Sequence, residues 1–193
     1  MSKRIALFSA AFGALALTAA VVAPVSAQDK MMKSEMSGEK TVMVGGAAMF
    51  PSKNIIENAV NSKDHTTLVA AVKAAGLVDT LSSKGPFTVF APTNAAFGKL
   101  PAGTVETLVK PESKATLTKI LTYHVVAGKM DAASLTDGKK LKTVEGEDLS
   151  VKLKDGKVWI VDAKGGTSMV TIANVNQSNG VIHVVDTVLM PKS

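Results

Sequence analysis

Apolar and polar residues alternate along much of the second half of the chain. In residues 149–154, leucine and valine alternate with serine and lysine, which predicts a strand with one buried face and one exposed face. Asp155-Gly156 follows directly and is a typical two-residue hairpin turn. Further short apolar runs, separated by glycine-containing turns, continue to residue 189. The pattern predicts a set of antiparallel strands in this half.

The first half of the ordered chain has a helical period instead. Leu117, Ile120 and Leu121 lie on one face of a predicted helix. A second predicted helix begins near residue 66, with Asp64 or Thr66 as its cap, and ends at Gly76. One strand, Phe87–Ala91, interrupts these helices. Helices first and antiparallel strands later indicate an α+β fold.

The N-terminus has the three parts of a secretory signal peptide. Lys3 and Arg4 precede an uncharged, mostly apolar run, Ile5–Val22, and Val25-Ser26-Ala27 supplies small residues for cleavage. We therefore predict a signal peptide over residues 1–27. An uncleaved anchor is the alternative, but Pro24 breaks a helix beside the cleavage site. The mature chain is expected to lack a membrane span and to be secreted or periplasmic.

Residues 28–49 show neither a helical nor a strand period. They mix polar residues with five methionines, so we predict a flexible, methionine-rich linker and a folded domain over residues 50–191. Thioethers are soft ligands that suit copper(I). The methionine spacing is irregular and no histidine lies nearby, so the linker interpretation is favoured over a copper site.

Composition excludes several classes of function. The net charge is +6, but Arg4 is the only arginine, and the chain has one Trp and one Tyr. Nucleic-acid recognition favours arginine forks and stacked aromatic residues, so no nucleic-acid partner is expected. Cysteine is absent. The fold must therefore be stabilised by a hydrophobic core rather than by disulfides.

The sequence contains none of the familiar catalytic and metal-binding motifs. His65, His124 and His183 are far apart in sequence and could converge on a metal only through the fold. His65 is expected to be exposed at the polar start of a helix, whereas His124 and His183 are expected to be packed residues. The sequence thus predicts no enzyme, no metal site and no cofactor.

Three segments together resemble the signature segments of the fasciclin-domain family, in its compact, single-domain, bacterial secreted form. They are Thr88–Phe97, Tyr123-His124 and Asn179–Asp186. The resemblance covers about residues 51–191. It implies a β-wedge of antiparallel strands with helices packed against it. The signature residues, which we interpret as mainly structural, are Thr88, Phe90, Pro92, Thr93, Asn94, Phe97, Asn179, Gly180, Ile182, His183 and Asp186.

The resemblance also implies a class of function. Family members are mostly non-enzymatic and act in cell adhesion or matrix contact, so a protein or polysaccharide at a cell surface is the expected partner. The family's adhesion segment corresponds to Tyr123 and His124. Separately, the alternating pattern places Lys152 and Lys154 on an exposed strand face, where they could attract acidic polysaccharide. The alternative function is a carrier of an apolar small molecule such as a carotenoid.

Overall fold

A computed structural model of the protein describes residues 40–192. The predicted signal peptide lies outside these residues, as does the part of the linker before residue 40. Within residues 40–192 the nine strands are β1 (Val42–Val44), β2 (Ala47–Met49), β3 (Phe87–Pro92), β4 (Val125–Ala127), β5 (Lys140–Lys142), β6 (Asp148–Lys154), β7 (Lys157–Val161), β8 (Thr167–Gln177) and β9 (Gly180–Val185). The α-helices are α1 (Ile55–Ala59), α2 (Thr66–Ala75), α3 (Val78–Ser82), α4 (Asn94–Gly98), α5 (Thr104–Leu108) and α6 (Lys114–Tyr123).

Seven strands form one sheet in the order β4-β3-β9-β8-β7-β6-β5. The α+β class is confirmed, and most neighbouring strands are antiparallel. One neighbouring pair, β3 and β9, runs parallel. The whole chain from residue 93 to residue 179 separates these two strands, which is long enough for the crossover that parallel pairing requires.

The two ends of the sheet approach each other. Val126 in β4 bridges to Thr143, just after β5, and the Val144 N–H donates to the Val125 carbonyl at 2.8 Å. The sheet therefore folds over on itself. A core lies inside this fold and contains Phe90, Tyr123, Leu149 and Ile160, each with no exposed surface.

A second core lies between the helices and the other face of β3 and β9. Val89 and Ala91 of β3 point into it, and so does Ile182 of β9. Leu117, Ile120 and Leu121 of α6 supply the helical side, as their spacing predicted. Because alternate residues of a strand point to opposite faces, β3 and β9 are buried on both sides.

The linker prediction is wrong for its last eight residues. Residues 42–49 form a hairpin in which Val42 pairs with Met49. Val44 and Met49 are each only 3% exposed and belong to the helical core. Each strand is too short to show a recognisable alternation of apolar and polar residues. Burial against the rest of the domain stabilises the hairpin. The folded domain thus begins near residue 42 rather than residue 50.

The caps of two helices are formed by side chains or positions that local sequence did not indicate. Asn54 caps α1 and forms a capping box with Glu57. The N-cap position of α2 is His65, which makes no side-chain cap; neither Asp64 nor Thr66 fills that position. Gly76 ends α2 in the left-handed conformation, as predicted. Over the range 40–192, no helix has the length and apolar character needed to cross a membrane.

Candidate functional site

The three signature segments are neighbours in the sheet. Segment Thr88–Phe97 runs through β3, segment Asn179–Asp186 runs through β9, and Tyr123-His124 leads into β4. The order β4-β3-β9 puts them side by side. The fold therefore brings together residues that are almost a hundred positions apart. Their contacts decide whether they build the fold or bind a partner.

Thr88 and His183 both hold the loop that follows β4. The Thr88 hydroxyl donates to the Gly128 carbonyl at 2.6 Å and accepts from the Met130 N–H at 2.9 Å. Nε2 of His183 lies 2.8 Å from the Met130 carbonyl, so this nitrogen must carry the proton. The His183 ring also stacks on Phe90, with ring centroids 5.7 Å apart. Neither Thr88 nor His183 has exposed surface.

Asn94 and Asn179 cap helices that are distant in sequence. Oδ1 of Asn94 accepts from the Thr67 N–H at 3.0 Å and so supplies the cap that α2 lacks locally. Oδ1 of Asn179 accepts from the Ile55 N–H at the start of α1. Its amide nitrogen donates to the carbonyls of Leu81 and Ser83 at the end of α3. Each side chain thus satisfies helix-end groups that would otherwise lack a partner.

Asp186 joins the end of β9 to its surroundings. Its carboxylate accepts from the Met169 N–H at 2.9 Å and pairs with Lys99 at 3.3 Å. Partial burial would raise the pKa of Asp186. The hydrogen bonds from Met169 and Thr187, together with Lys99, outweigh burial and hold the pKa below its usual value.

The remaining signature residues shape the chain or fill the cores. The Thr93 side chain accepts from the Ala96 N–H and caps α4. A Cβ at Gly180 would overlap the Phe87 carbonyl oxygen, so only glycine allows β9 to approach β3 this closely. The other members, all buried, are Phe90, Pro92, Phe97 and Ile182.

Tyr123 and His124 lie inside the protein, which does not fit the binding role that the resemblance implied. Their exposed fractions are 0% and 2%. The Tyr123 hydroxyl accepts from the Ala163 N–H at 2.8 Å. Burial raises the pKa of Tyr123 to about 12, although this hydrogen bond opposes the shift. In this conformation neither side chain can contact a macromolecular partner directly.

His124 is held as a neutral imidazole. Nδ1 lies 2.8 Å from the Ile120 carbonyl and must donate, whereas Nε2 accepts from the Leu189 N–H at 3.0 Å. Burial lowers the pKa of His124 to about 4, because a charged ring would be desolvated. The ring joins the end of α6 to the backbone of Leu189, which is also buried.

The expectation that His65 is exposed is wrong. It is 3% exposed, and its Nδ1 lies 2.9 Å from the Ser62 hydroxyl. Burial lowers the pKa of His65 and of His183. Within residues 40–192, no group of three or more histidine, aspartate or glutamate side chains is arranged to hold a metal ion.

The outer side of β5–β7 is strongly basic. Direct cross-strand pairs join Lys140 to Ser150, Lys154 to Lys157, and Lys152 to Trp159, and paired residues point to the same side of a sheet. We name this surface the basic sheet face. It consists of the exposed residues Lys140, Lys142, Lys152, Lys154 and Lys157 together with the half-buried Trp159.

These lysines are free of ion pairs within the described part of the chain, where the two ion pairs are Lys99–Asp186 and Lys119–Glu145. Asp148 lies opposite Lys142 on the same side, and Asp155 sits in the adjoining turn. The five lysines therefore leave a positive excess. The sheet brings Lys152 and Lys154 together with three further lysines.

Trp159 was not among the candidates from sequence. Successive side chains of β7 point to opposite faces of the sheet. Since Ile160 is fully buried, Lys157, Trp159 and Val161 must occupy the opposite face. That alternation is the signal that could have identified Trp159.

Two cavities are relevant to an apolar ligand. The internal one, in the helical core, has a volume of about 30 Å³, which is room for about one water molecule. A larger groove of about 350 Å³ lies between α6 and the C-terminal segment. Its lining residues are Ala115, Thr116, Lys119, Ile120, Lys164, Met190 and Pro191.

A sheet folded over one core, with a helical layer over a second core, defines an α+β domain in which the signature segments are central. The family model of the fasciclin domain matches residues 63–191. The chain belongs to the fasciclin-domain family. This confirms the family that the three segments indicated.

Relatives of known sequence support the same assignment. The chain is 53% identical to Protein sll1483 of Synechocystis sp. over 79% of its length and 82% of that protein. It is 36% identical to Immunogenic protein MPB70 of Mycobacterium bovis over 94% of its length and 93% of that protein. Cell surface glycolipoprotein MPB83 of Mycobacterium bovis is 38% identical over 77% of the chain and 64% of that protein.

The fold is shared with a solved structure of a FAS1 domain pair from the insect cell adhesion molecule Fasciclin I. The TM-score is 0.65 at 19% sequence identity, and the match covers 73% of this chain and 52% of the other. The chain thus corresponds to about half of that domain pair. At this level of identity the match shows the fold alone.

Proposed function

We propose that this protein is an exported, non-enzymatic fasciclin-domain protein that contacts anionic polysaccharide at a cell surface. The basic sheet face is the contact surface. The observation that carries the proposal is the cluster of five exposed lysines on one side of three adjacent strands, none of them engaged in an ion pair within residues 40–192.

The geometry of a sheet suits a repeating anionic polymer. Alternate residues of a strand are about 7 Å apart and neighbouring strands are about 4.8 Å apart, so the lysines form a flat array of charge. Lysine presents a compact ammonium on a flexible stem rather than a planar fork. Such an array attracts the carboxylate or sulfate groups that recur along an anionic polysaccharide, in many orientations.

The relatives support a surface location. MPB83 is described as a cell surface glycolipoprotein, and the FAS1 domain pair comes from a cell adhesion molecule. The predicted signal peptide over residues 1–27 agrees with export. N-terminal sequencing of the exported protein should give Gln28 as the first residue. A full-length chain retained in the membrane fraction would contradict export.

The binding proposal is tested by retention on an acidic-polysaccharide column. The wild type should be retained at low salt and released as salt rises, because exposed charges are screened over about 8 Å at physiological ionic strength. The double variant Lys152→Glu, Lys154→Glu should elute at much lower salt.

A matched control makes the same change of charge elsewhere. Lys73 and Lys84 are exposed and lie on the helical side, so Lys73→Glu with Lys84→Glu alters net charge equally but spares the basic sheet face. If both double variants elute together, net charge alone governs retention and the proposed surface is wrong. Absence of any wild-type retention would contradict polysaccharide binding altogether.

A carrier of an apolar small molecule, such as a carotenoid, is the second candidate. The observation in its favour is the groove of about 350 Å³ beside α6, since ligand pockets measure roughly 300–1,000 Å³. The internal cavity of about 30 Å³ is too small for such a ligand. A visible absorption spectrum of the protein purified from its native source decides this: a carotenoid band would favour the carrier.

A further inference from the structure

Trp159 occupies an unusual place for the largest apolar side chain. It is the only tryptophan in the chain and lies on the outward side of β7, whereas its neighbour Ile160 is fully buried. Trp159 belongs to neither of the two core clusters. The core does not account for its position, although its half-buried ring does pack on the sheet.

The strand register surrounds Trp159 with two kinds of neighbour. Lys152 lies directly opposite on β6, and Met169 lies directly opposite on β8. Val161, two positions further along β7, points the same way. Trp159, Val161 and Met169 are all half-buried. The basic sheet face thus contains an apolar strip bordered by lysines.

We propose that Trp159 stacks on a sugar ring of an anionic polysaccharide, while Lys152 and Lys154 contact the carboxylate or sulfate groups beside that ring. This inference rests on the proposed function and identifies the anchor of the same surface. It assigns a uronic-acid or sulfated glycan as the ligand class.

The chemistry of the two partners is complementary. One face of a pyranose ring presents mainly C–H bonds, and an indole ring offers a broad apolar surface at little cost in side-chain entropy. Directly opposed residues in antiparallel strands have Cβ atoms about 5 Å apart. An ammonium from Lys152 can therefore reach an acidic group on a sugar that covers Trp159.

The half-burial of Trp159 distinguishes a glycan from a membrane. Insertion into a bilayer requires apolar side chains that project beyond the surrounding polar residues. Here the indole lies within a regular strand, and exposed lysines occupy the neighbouring positions. A flat ligand can cover such a ring, whereas the acyl region of a bilayer cannot reach it without burying the lysines.

The single tryptophan provides a direct reporter. The wild type is titrated with oligogalacturonate, a uronic-acid oligomer, and with uncharged dextran oligomers of similar length, while tryptophan emission is recorded. We expect a saturable change with oligogalacturonate that weakens as salt rises. An equal response to dextran would overturn the anionic ligand, and no response to oligogalacturonate would overturn the stacking of Trp159.

Two variants separate this inference from the proposed function. Trp159→Thr keeps a good strand former and should weaken binding of oligogalacturonate by about tenfold, a typical loss for an aromatic anchor. Trp159→Phe should lose less. Unchanged thermal unfolding midpoints show that the variants fold. If a variant does not fold, the titration of the wild type still tests the inference, because it requires no substitution.

The remaining outcomes distinguish failure of the stacking inference from failure of the proposed function. If Trp159→Thr elutes from the acidic column at the same salt as the wild type, whereas Lys152→Glu with Lys154→Glu elutes earlier, the stacking inference is overturned and the proposed function stands. If the wild type is not retained, both fall. If vesicles of anionic phospholipid shift the tryptophan emission to the blue and oligogalacturonate does not, a membrane replaces the glycan.

Discussion

The sheet has two regions whose polar residues behave oppositely. Around β4, β3 and β9 the polar signature side chains turn inward and find partners within the protein. On β5–β7 the lysines of the basic sheet face turn outward and lack ion-pair partners in the described residues. The difference indicates that the signature residues mainly build this fold, whereas the surface that we propose for a ligand lies on strands outside the three signature segments.

The hydrogen bonds make this contrast concrete. Asn179 makes three contacts to helix ends, and Thr88 makes two to the loop after β4. Removing such a group leaves buried donors or acceptors unsatisfied, at a cost of roughly 1–3 kcal/mol each. By contrast, replacing an exposed lysine changes the free energy of unfolding little.

The largest effect is expected at the contact between β3 and β9. Gly180→Ala should lower the free energy of unfolding by about 3 kcal/mol or prevent folding, since the added Cβ overlaps the Phe87 carbonyl oxygen. Gly98 is the matched control, because nothing lies within 4 Å of a Cβ built there. Urea denaturation of both variants measures the difference. Equal midpoints for the two variants would show that the two strands can separate slightly without cost.

The next effect depends on pH. The pKa of His124 is about 4 in the folded protein against 6.5 for the free side chain, so the unfolded chain binds more protons between these values. The free energy of unfolding should therefore fall as pH drops below about 6.5, by about 3 kcal/mol from His124 when pH 4 is reached. His65 and His183 act in the same direction.

His124→Gln isolates the contribution of this ring. Glutamine offers a donor for the Ile120 carbonyl and an acceptor for the Leu189 N–H, but it does not titrate. The variant should be less stable than the wild type near pH 7.5, with a difference that shrinks towards pH 4, as measured by urea denaturation across this range. A difference that stays constant with pH would mean that His124 does not take up a proton on unfolding.

The smallest effect on stability is expected on the basic sheet face. Lys152→Gln with Lys154→Gln should change the free energy of unfolding by less than about 0.5 kcal/mol, while it lowers retention on acidic polysaccharide. The two measurements together sharpen the contrast with Gly180 and His124. A large loss of stability would show that these lysines help to stabilise the fold. It would contradict the distinction between structural residues around β3 and β9 and surface residues on β5–β7.

Local patterns predicted the secondary-structure elements well where residues adjacent in sequence determine them. The strand predicted at Phe87–Ala91, the turn at Asp155-Gly156 and the end of α2 at Gly76 all depend on neighbouring residues. The hairpin at residues 42–49 escaped detection because each of its strands has three residues. This hairpin is stabilised by burial of Val44 and Met49 in a core that other segments form.

By itself the sequence determined the α+β class, the family and the alternation that turns Lys152 and Lys154 outward, because periodicity and turn chemistry act over a few residues. Tertiary structure alone decided the parallel pairing of β3 with β9, the cap that Asn94 gives to α2 and the burial of His65 and Tyr123. These features depend on which distant segments meet. It also decided that Trp159 lies opposite Lys152, since only strand register brings two outward positions together.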